Sequence, residues 1–533
     1  MPFSATYIPY QQTQSFGSIA LDYISGASSL KPFYQQPPTI EGIRQTMIKK
    51  AAQFAGRELL VNELKLRYQS LAPHDAVNNN IELLLKANCF TVCTAHQPNI
   101  FTGHLYFIYK ILHSIKLCHE LKKSFAENHF VPVYFMGSED ADLQELGEIM
   151  VGGKKYNWQT DQKGAVGRMY IDKPFIQLID ELERQLGVEP FGNEIIQSVR
   201  DCYTPGKTIE EATFQFVHNL FAEYGLVILL PDSNVFKNAF LPVMERELVN
   251  SFSEPLVQKT IQAMPVNYKV QVSGRPINLF YLKDGLRERI EKKGDQYHIA
   301  NTSLQFSRDQ ILAELREYPG RFSPNVILRP LLQEALLPNI VFVGGGAEIA
   351  YWLELKPVFE AAAIPYPVLL LRNSFAIVPQ KTAKKITDLE MEPAEFFKPE
   401  LQIINDLVQK RSTKQLSLSN EKLALIKNYD SIRKIAADID QSLDRHVWAL
   451  QSTAINRISL LEKKMLKAEK KKFEAEKRQV SKIKESFFPA GILQERVENI
   501  LPYYSHFGKP IMDALYLAST GLQQQFCILT QTD

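Results

Sequence analysis

Side chains able to do chemistry gather where loops follow short apolar runs. In TAHQPNIFTGHLYFIYK, His96 and His104 supply imidazoles, and Gln97 and Asn99 supply amides. Such groups can stabilise charge developing on a phosphoryl group. Thr102-Gly103-His104 is expected to open a helix, aiming free N–H groups and the positive end of a dipole at the loop, a setting that favours phosphate. The spacing is equally compatible with one histidine capping the helix and the other packing. A second loop, GSEDAD, concentrates Glu139, Asp140 and Asp142. Neighbouring carboxylates can hold an ammonium group or a metal, or take a proton, and Asp142 or Ser138 can also simply cap the next helix.

A third loop runs Val343-Gly344-Gly345-Gly346-Ala347-Glu348. Its glycines permit close backbone approach to a ligand, and Glu348, in the first turn of a helix, can accept from ribose hydroxyls. The pattern is neither GxGxxG nor GxxxxGK[ST], which argues against a Rossmann dehydrogenase or a P-loop NTPase. GxSxG and HExxH are also missing from the chain. Arg329, with Asn325 before it and Gln333 one turn later, starts the helix RPLLQEALLPN. A guanidinium and a helix N-terminus together favour carboxylates; pairing of Arg329 with Glu334 is the structural alternative.

The elements that must hold these loops alternate. Strands are expected at Phe90–Thr94, Val131–Met136, Leu226–Leu230, Ile340–Val343 and Val368–Leu371, with helices at Gly103–Lys122, Val235–Asn250 and Glu348–Ala362. Strands without polar alternation are covered on both faces. The fold class expected is therefore α/β with a doubly wound, Rossmann-like core whose ligands sit at the strands' carboxyl ends. On this reading 1–146 is an N-terminal arm, helical over about Ile40–Leu71, with the first part of the core. Residues 147–225 and 254–325, the latter with strand-like runs at Tyr268–Val272 and Leu279–Leu282, are insertions. Residues 226–253 and 326–381 return to the core.

From about Thr382 to 486 the chain reads as a helical arm. Val447, Leu450, Ala454, Ile458, Leu461, Met465 and Ala468 form a coiled-coil stripe. Ser419–Leu443 is expected to fold back on it through Ile432, Ile435 and Ile439. One helix over Gln441–Glu485 would project roughly 65 Å. The basic-rich run Lys463–Lys484 also contains acids, as a solvated helix face does. Residues 487–533 return to apolar content and should pack on the body or on a second subunit.

The chain has 533 residues, 45% apolar and 23% charged, in the range of a large globular protein rather than a disordered one. A net charge of +2 gives no global field for nucleic acid or an anionic membrane. Five scattered cysteines support neither a disulfide framework nor a zinc site. The N-terminus lacks a signal-peptide pattern, and no run of about 18 apolar residues occurs. A reduced, cytoplasmic protein is expected.

The segments TGHLYFIYKILHSIKL, VPVYFMGSEDADLQEL, FSPNVILRPLLQEALLPNIVFVGGGAEIAYW and FFPAGILQERVENIL, in this order, resemble the BshC family of bacillithiol biosynthesis. The resemblance spans nearly the whole chain. It implies a core related to class I aminoacyl-tRNA synthetases, connecting insertions, and a coiled-coil arm that makes a homodimer. It also implies a ligase joining the carboxyl of L-cysteine to the amine of glucosaminyl-malate, with ATP as co-substrate through a cysteinyl-adenylate. Thr102-Gly103-His104 would then stand near the HIGH-type signature and Gly344–Glu348 near the ribose-binding loop. From the residues themselves, Glu139, Asp140 and Asp142 are expected to bind the cysteine ammonium or take the amine proton, Asp140 as the ammonium partner and Asp142 as the base, and Arg329 is expected to take the malate. Neither a KMSKS-like lysine loop nor a cysteine-selecting zinc set is visible. The competing classes are a nucleotide-binding coiled-coil interaction protein and an aminoacyl-transfer enzyme acting on RNA.

Overall fold

A computed structural model describes residues 3–532; Met1, Pro2 and Asp533, at the ends of the outermost expected segments, lie outside the described residues. Five strands form the central sheet: β1 (Cys89–His96), β2 (His129–Met136), β3 (Val227–Leu229), β4 (Asn339–Gly344) and β5 (Val368–Leu371). All neighbours run parallel, in the order β5-β4-β1-β2-β3. Read from the other edge this is 3-2-1-4-5, a doubly wound order that reverses between β1 and β4. β4 and β5 are buried throughout. The register from Cys89 opposite His129 to His96 opposite Met136 places the ends of β1 and β2 side by side.

Helix α1 (Leu105–Ser124) connects β1 to β2 and lacks internal proline or glycine. It begins two residues later than expected, with His104 at the N-cap in extended backbone. On one sheet face, the alternate residues Phe90 and Val92 cluster with Leu117 and Leu121 of α1 and with Ile43 and Met47 of the N-terminal helix Ile40–Gln53. Two expected helices are broken. Val235–Asn250 divides into Asn234–Ala239 and Leu241–Asn250, and Glu348–Ala362 into Gly346–Leu353 and Lys356–Ala361. Each second half carries proline in its first turn, where the missing N–H costs nothing.

The first insertion is a hairpin (Glu148–Val151 with Lys154–Asn157) followed by three helices around a separate core. The second carries a five-stranded antiparallel sheet, Leu279–Lys283 pairing with Leu286–Lys293 and with Phe322–Pro324. Tyr268–Val272 is not a strand: the Gln271 and Val272 amides donate to the Glu354 carboxylate at 2.9 and 3.3 Å instead of to a neighbouring strand. The segment Ile492–Leu529 belongs to the same compact unit as Met1–Ala376. The five cysteines of the chain, Cys527 of this segment among them, are free and buried. Among the described residues no helix is long and apolar enough to cross a membrane.

The second unit, centred on Ile377–Gly491, contains an antiparallel pair, α2 (Ser419–Ile439) and α3 (Ser442–Lys470). The expected single helix over Gln441–Glu485 is interrupted. Phe473 leaves helical geometry in a 3-10 turn at Lys471–Phe473, just past Ala468 where the apolar stripe ends, and α4 (Glu474–Phe487) follows. The fold-back also differs in face. Arg433 pairs with Asp444 at 2.9 Å, Lys422 pairs with Glu462, and the Gln451 amide donates to Ile426 O at 3.3 Å. On the same helix Leu425, Ile426 and Tyr429 are half-buried. Ile432, Ile435 and Ile439 are left 48, 65 and 79% exposed.

Candidate functional site

A cavity of about 900 Å³ opens at the carboxyl ends of β1 and β4, where the strand order reverses. This is where an open α/β sheet places its ligands. Contacts divide its lining into two ends.

At the first end, His96 closes β1 with its ring 5.4 Å from that of Tyr106, and the Tyr106 ring faces Arg372 at 5.2 Å. Lys110 rises from α1, donates to Ala95 O at 2.9 Å and pairs with Glu348. Glu348 also accepts from the Gly345 amide at 2.8 Å, so its role is to reach back to the amide at the N-cap of its own helix and hold Lys110. Ribose would have to share a carboxylate already in use. Arg372 gives Nη1 and Nη2 to Glu495 at 3.0 and 2.7 Å, while its Nε is buried without a hydrogen-bond partner. Burial depresses the pKa of His96 well below the ordinary histidine value and that of Lys110 below the ordinary lysine value, the latter against the pull of Glu348. His104 is also depressed by burial, although its bond to Val497 O at 3.1 Å opposes this.

The second end is built on Asp140. Arg329 grips it with both arms, and Arg287 adds a third contact at 3.0 Å while stacking 3.8 Å from the Phe280 ring centroid. Burial alone would raise the carboxyl, but Arg329 and Arg287 outweigh it and bring the pKa down to about 2. Asn325 donates to Asn278 Oδ1 at 2.8 Å, which also accepts from the Arg275 amide, so Arg275 stands at this end.

Of the residues singled out from sequence, His96, Gln97, His104, Asp140, Asn325, Arg329, Gly345, Gly346 and Glu348 line this cavity. The acid loop does not act together. Glu139 is buried against Lys237 at 2.5 Å and Ser323 at 3.1 Å, and Asp142 caps a short helix by accepting from the Glu145 amide at 3.2 Å. With Asp140 held by arginines, the three acids face three different partners, and neither an ammonium cradle nor a base emerges. Gln333 is buried and donates to Glu334 at 3.0 Å, and Glu334 pairs with Lys50, so neither the carboxylate role of Gln333 nor an Arg329–Glu334 pair forms.

Asn99, Thr102 and Gly103 lie behind the wall. Phe101, Thr102 and Gly103 take consecutive positive φ angles of 49, 72 and 63°, and a Cβ on Gly103 would stand 2.7 Å from that of Asn99. Strain of this kind persists only where surroundings enforce it. Here Asn499 donates to Phe101 O at 2.9 Å and Leu105 N donates to Glu498 O at 2.8 Å. The first amide of α1 is thus taken by protein and is not free for a phosphate. A Cβ on Gly344 would meet the Phe342 ring at 2.7 Å, so this glycine answers packing rather than a ligand.

Five cations of the lining escaped the sequence reading: Lys110, Arg275, Arg287, Arg372 and Arg496. Lys110 was detectable as one charge inside the apolar run FIYKILH, and Arg372 as the residue after β5; nothing local marks the others. With Arg329, six cations face three lining carboxylates, Asp140, Glu145 and Glu348. That surplus suits polyanionic ligands. Among the described residues no three His, Cys, Asp or Glu side chains gather as a metal site would need.

Residues 3–373 match the family model described as "Bacillithiol biosynthesis BshC, N-terminal Rossmann-like domain", and residues 375–531 match "Bacillithiol biosynthesis BshC, C-terminal coiled-coil domain". A protein of Flavobacterium johnsoniae named "Putative cysteine ligase BshC" is 38% identical over 98% of this chain and 99% of its own. Proteins of the same name from Christiangramia forsetii and Cytophaga hutchinsonii are 35% identical, over 98% of both chains, and 36% identical, over 94% of both. Matched along both of its parts and by full-length relatives, the chain belongs to the BshC family of bacillithiol biosynthesis.

Proposed function

We propose that this protein is a ligase that joins the carboxyl of L-cysteine to the amine of glucosaminyl-malate, the last step of bacillithiol biosynthesis. The observation that carries the reading is the switch-point cavity with its excess of guanidinium groups, in a chain whose relatives are named as cysteine ligases. Arg329, Arg287 and Arg275 form an end suited to the two malate carboxylates, which planar guanidinium forks match well. The end at His96, Lys110 and Gly345 would hold the activated amino acid.

A carboxylate is a poor acylating group, and ATP is the proposed activator. A cysteine carboxylate oxygen attacks the α-phosphorus, the bond to the β-phosphate oxygen breaks, and pyrophosphate leaves. The sugar amine then attacks the carbonyl carbon, the bond to the AMP oxygen breaks, and the amine proton passes to His96. Burial keeps His96 neutral near pH 7, and its Nε2 has no hydrogen-bond partner. His104, fixed by Val497, would support charge on the phosphoryl group.

The proposed partners are L-cysteine, glucosaminyl-malate and a second copy of the chain bound through the arm, whose isoleucines are exposed. The proposed compartment is the cytoplasm, to which five free buried cysteines are suited. An RNA substrate is disfavoured because the cations converge in a cavity and the net charge is only +2. A pure interaction protein would not need so constrained a set of cavity side chains.

The deciding experiment incubates the full chain with cysteine, glucosaminyl-malate and ATP and follows bacillithiol and AMP by mass spectrometry, beside thiol profiling of cells lacking the gene. Bacillithiol should disappear from those cells and glucosaminyl-malate accumulate. Unchanged thiols would refute the proposal.

A further inference from the structure

The opening of α1 is closed by chain that lies 393 to 398 residues later in the sequence. Glu495 clamps Arg372; Val497 O and Glu498 O accept from His104 Nδ1 and Leu105 N; Asn499 holds Phe101 O. Between these fixed points stands Arg496. Its backbone is tied by a bond from its own amide to Leu493 O at 2.8 Å, and its side chain is exposed and lines the cavity.

Most of the lining cations already hold a carboxylate of the chain: Lys110 has Glu348, Arg287 and Arg329 share Asp140, and Arg372 has Glu495. Among the described residues Arg275 and Arg496 make no ion pair, and they stand at opposite ends. Arg275 lies with the arginines around Asp140. Arg496 lies with Arg372 near Tyr106, whose phenol feels both charges. Against that pair sits Gly345, where an added Cβ would be 3.6 Å from the unpartnered Arg372 Nε. A buried donor without a partner is an unmet demand that an anion can satisfy.

We propose that Arg496, backed by Arg372, is the phosphate-binding residue of this cavity and takes the phosphate chain of the nucleotide that activates cysteine. Arg496 can turn its whole planar fork to a phosphate without breaking an internal pair. The clamped backbone on either side fixes where it stands. The inference rests on the reading that ATP activates cysteine, and its test separates the two.

Calorimetry on the full chain would use ATP, inorganic pyrophosphate and glucosaminyl-malate as probes. Arg496→Ala should weaken ATP and pyrophosphate about tenfold or more, the loss of one charge-assisted contact, and leave glucosaminyl-malate within about twofold. Arg496→Lys should retain part of the phosphate affinity, and Arg275→Ala should give the reverse pattern. Arg496 is exposed, so unchanged circular dichroism and melting are expected of its variants. If the unaltered chain binds ATP and Arg496→Ala binds it equally well, the assignment of Arg496 is overturned while ATP activation stands. Equal weakening of all three probes also overturns it, because that is a general field effect. If the unaltered chain binds glucosaminyl-malate but neither ATP nor pyrophosphate, ATP activation falls and the assignment with it.

Discussion

Arg329 holds Asp140 with both arms of its guanidinium, Nη1 to Oδ2 at 2.8 Å and Nη2 to Oδ1 at 2.6 Å. The pair joins the loop after β2 to the helix that precedes β4, across the end of β1 that lies between them in the sheet. Asp140 thereby becomes a strut that sets the planes of the arginines. It is not a group that exchanges protons near neutral pH.

Removing this strut has a defined cost. Asp140→Asn leaves Arg329 and Arg287 without their counter-charge, so a destabilisation of about 3 kcal/mol is expected. The pH dependence has a fixed sign. Because the folded-state pKa is depressed to about 2 from 3.8, the contribution is present above the unfolded value and is lost as pH falls from about 4 towards 2. Acid unfolding should be less steep over that interval in Asp140→Asn. Identical slopes would show that the arginines do not stabilise this carboxylate.

Arg329→Lys tests the ligand side of the same pair. A lysine keeps the charge but cannot hold Asp140 with two arms, so the set of the neighbouring guanidinium groups is lost, and the KM for glucosaminyl-malate should rise by about tenfold while the KM for ATP stays unchanged. Steady-state kinetics with each substrate varied in turn reads this split. A KM for glucosaminyl-malate that does not move would take Arg329 out of the malate site.

These two residues also show what the sequence could and could not reveal. The strands around the site were legible because VPVYFM and NIVFVG have no polar alternation, and the strand-end rule then pointed at His96, Asp140 and Gly345. What Asp140 does was not legible, since its partners lie 147 and 189 residues away in sequence. Local counting could not separate Asp142 the cap from Asp140 the strut, because both sit in one acidic loop. Arg496 is further still from any local signal, being brought in by chain that folds back over α1. In the arm, apolar spacing correctly indicated a hairpin but not its face, across which Arg433, Lys422 and Gln451 make polar contacts.

Gly345 offers a cleaner probe of the first end than Gly344 or Gly103. Its φ is −73°, and a Cβ there would meet only Glu348 Oε2 at 3.4 Å and Arg372 Nε at 3.6 Å, ordinary contact distances. Gly345→Val should therefore fold, while its branched side chain fills the approach to Arg372. ATP affinity measured by calorimetry should fall by about tenfold or more. A folded variant with undiminished affinity would move the nucleotide away from this loop.

The exposed isoleucines of α2 predict assembly. Ile435 and Ile439 lie four residues apart on one helical face and are 65 and 79% exposed, a site where a second copy of the arm is proposed to pack. Ile435→Glu with Ile439→Glu should convert a dimer into a monomer in sedimentation equilibrium without melting the hairpin, which the Arg433–Asp444 and Lys422–Glu462 pairs hold from the other side. An unchanged sedimentation mass would assign the dimer contact elsewhere or exclude it.

The last prediction concerns His96 and pH. Burial is the largest cause of its depressed pKa, and the charges of Lys110, His104 and Arg372 push the same way while Asp140 opposes them. The imidazole is consequently neutral at pH 7 and, in the reaction proposed above, able to accept the proton of the sugar amine. In single-turnover amide formation between pH 5 and 8, the rate should show no inflection at the ordinary histidine value near 6.5. His96→Gln should lower that rate by about a hundredfold or more with little change in ATP affinity, because general-base catalysis is lost and binding is not. The stability of the protein carries the matching sign: a depressed histidine favours the folded state above its unfolded pKa and disfavours it as pH falls below that point. His96→Gln should therefore unfold at lower pH than the unaltered chain. An inflection near 6.5 that disappears in His96→Gln would mean that the ring is solvated in the working enzyme, and the proton would then need another acceptor.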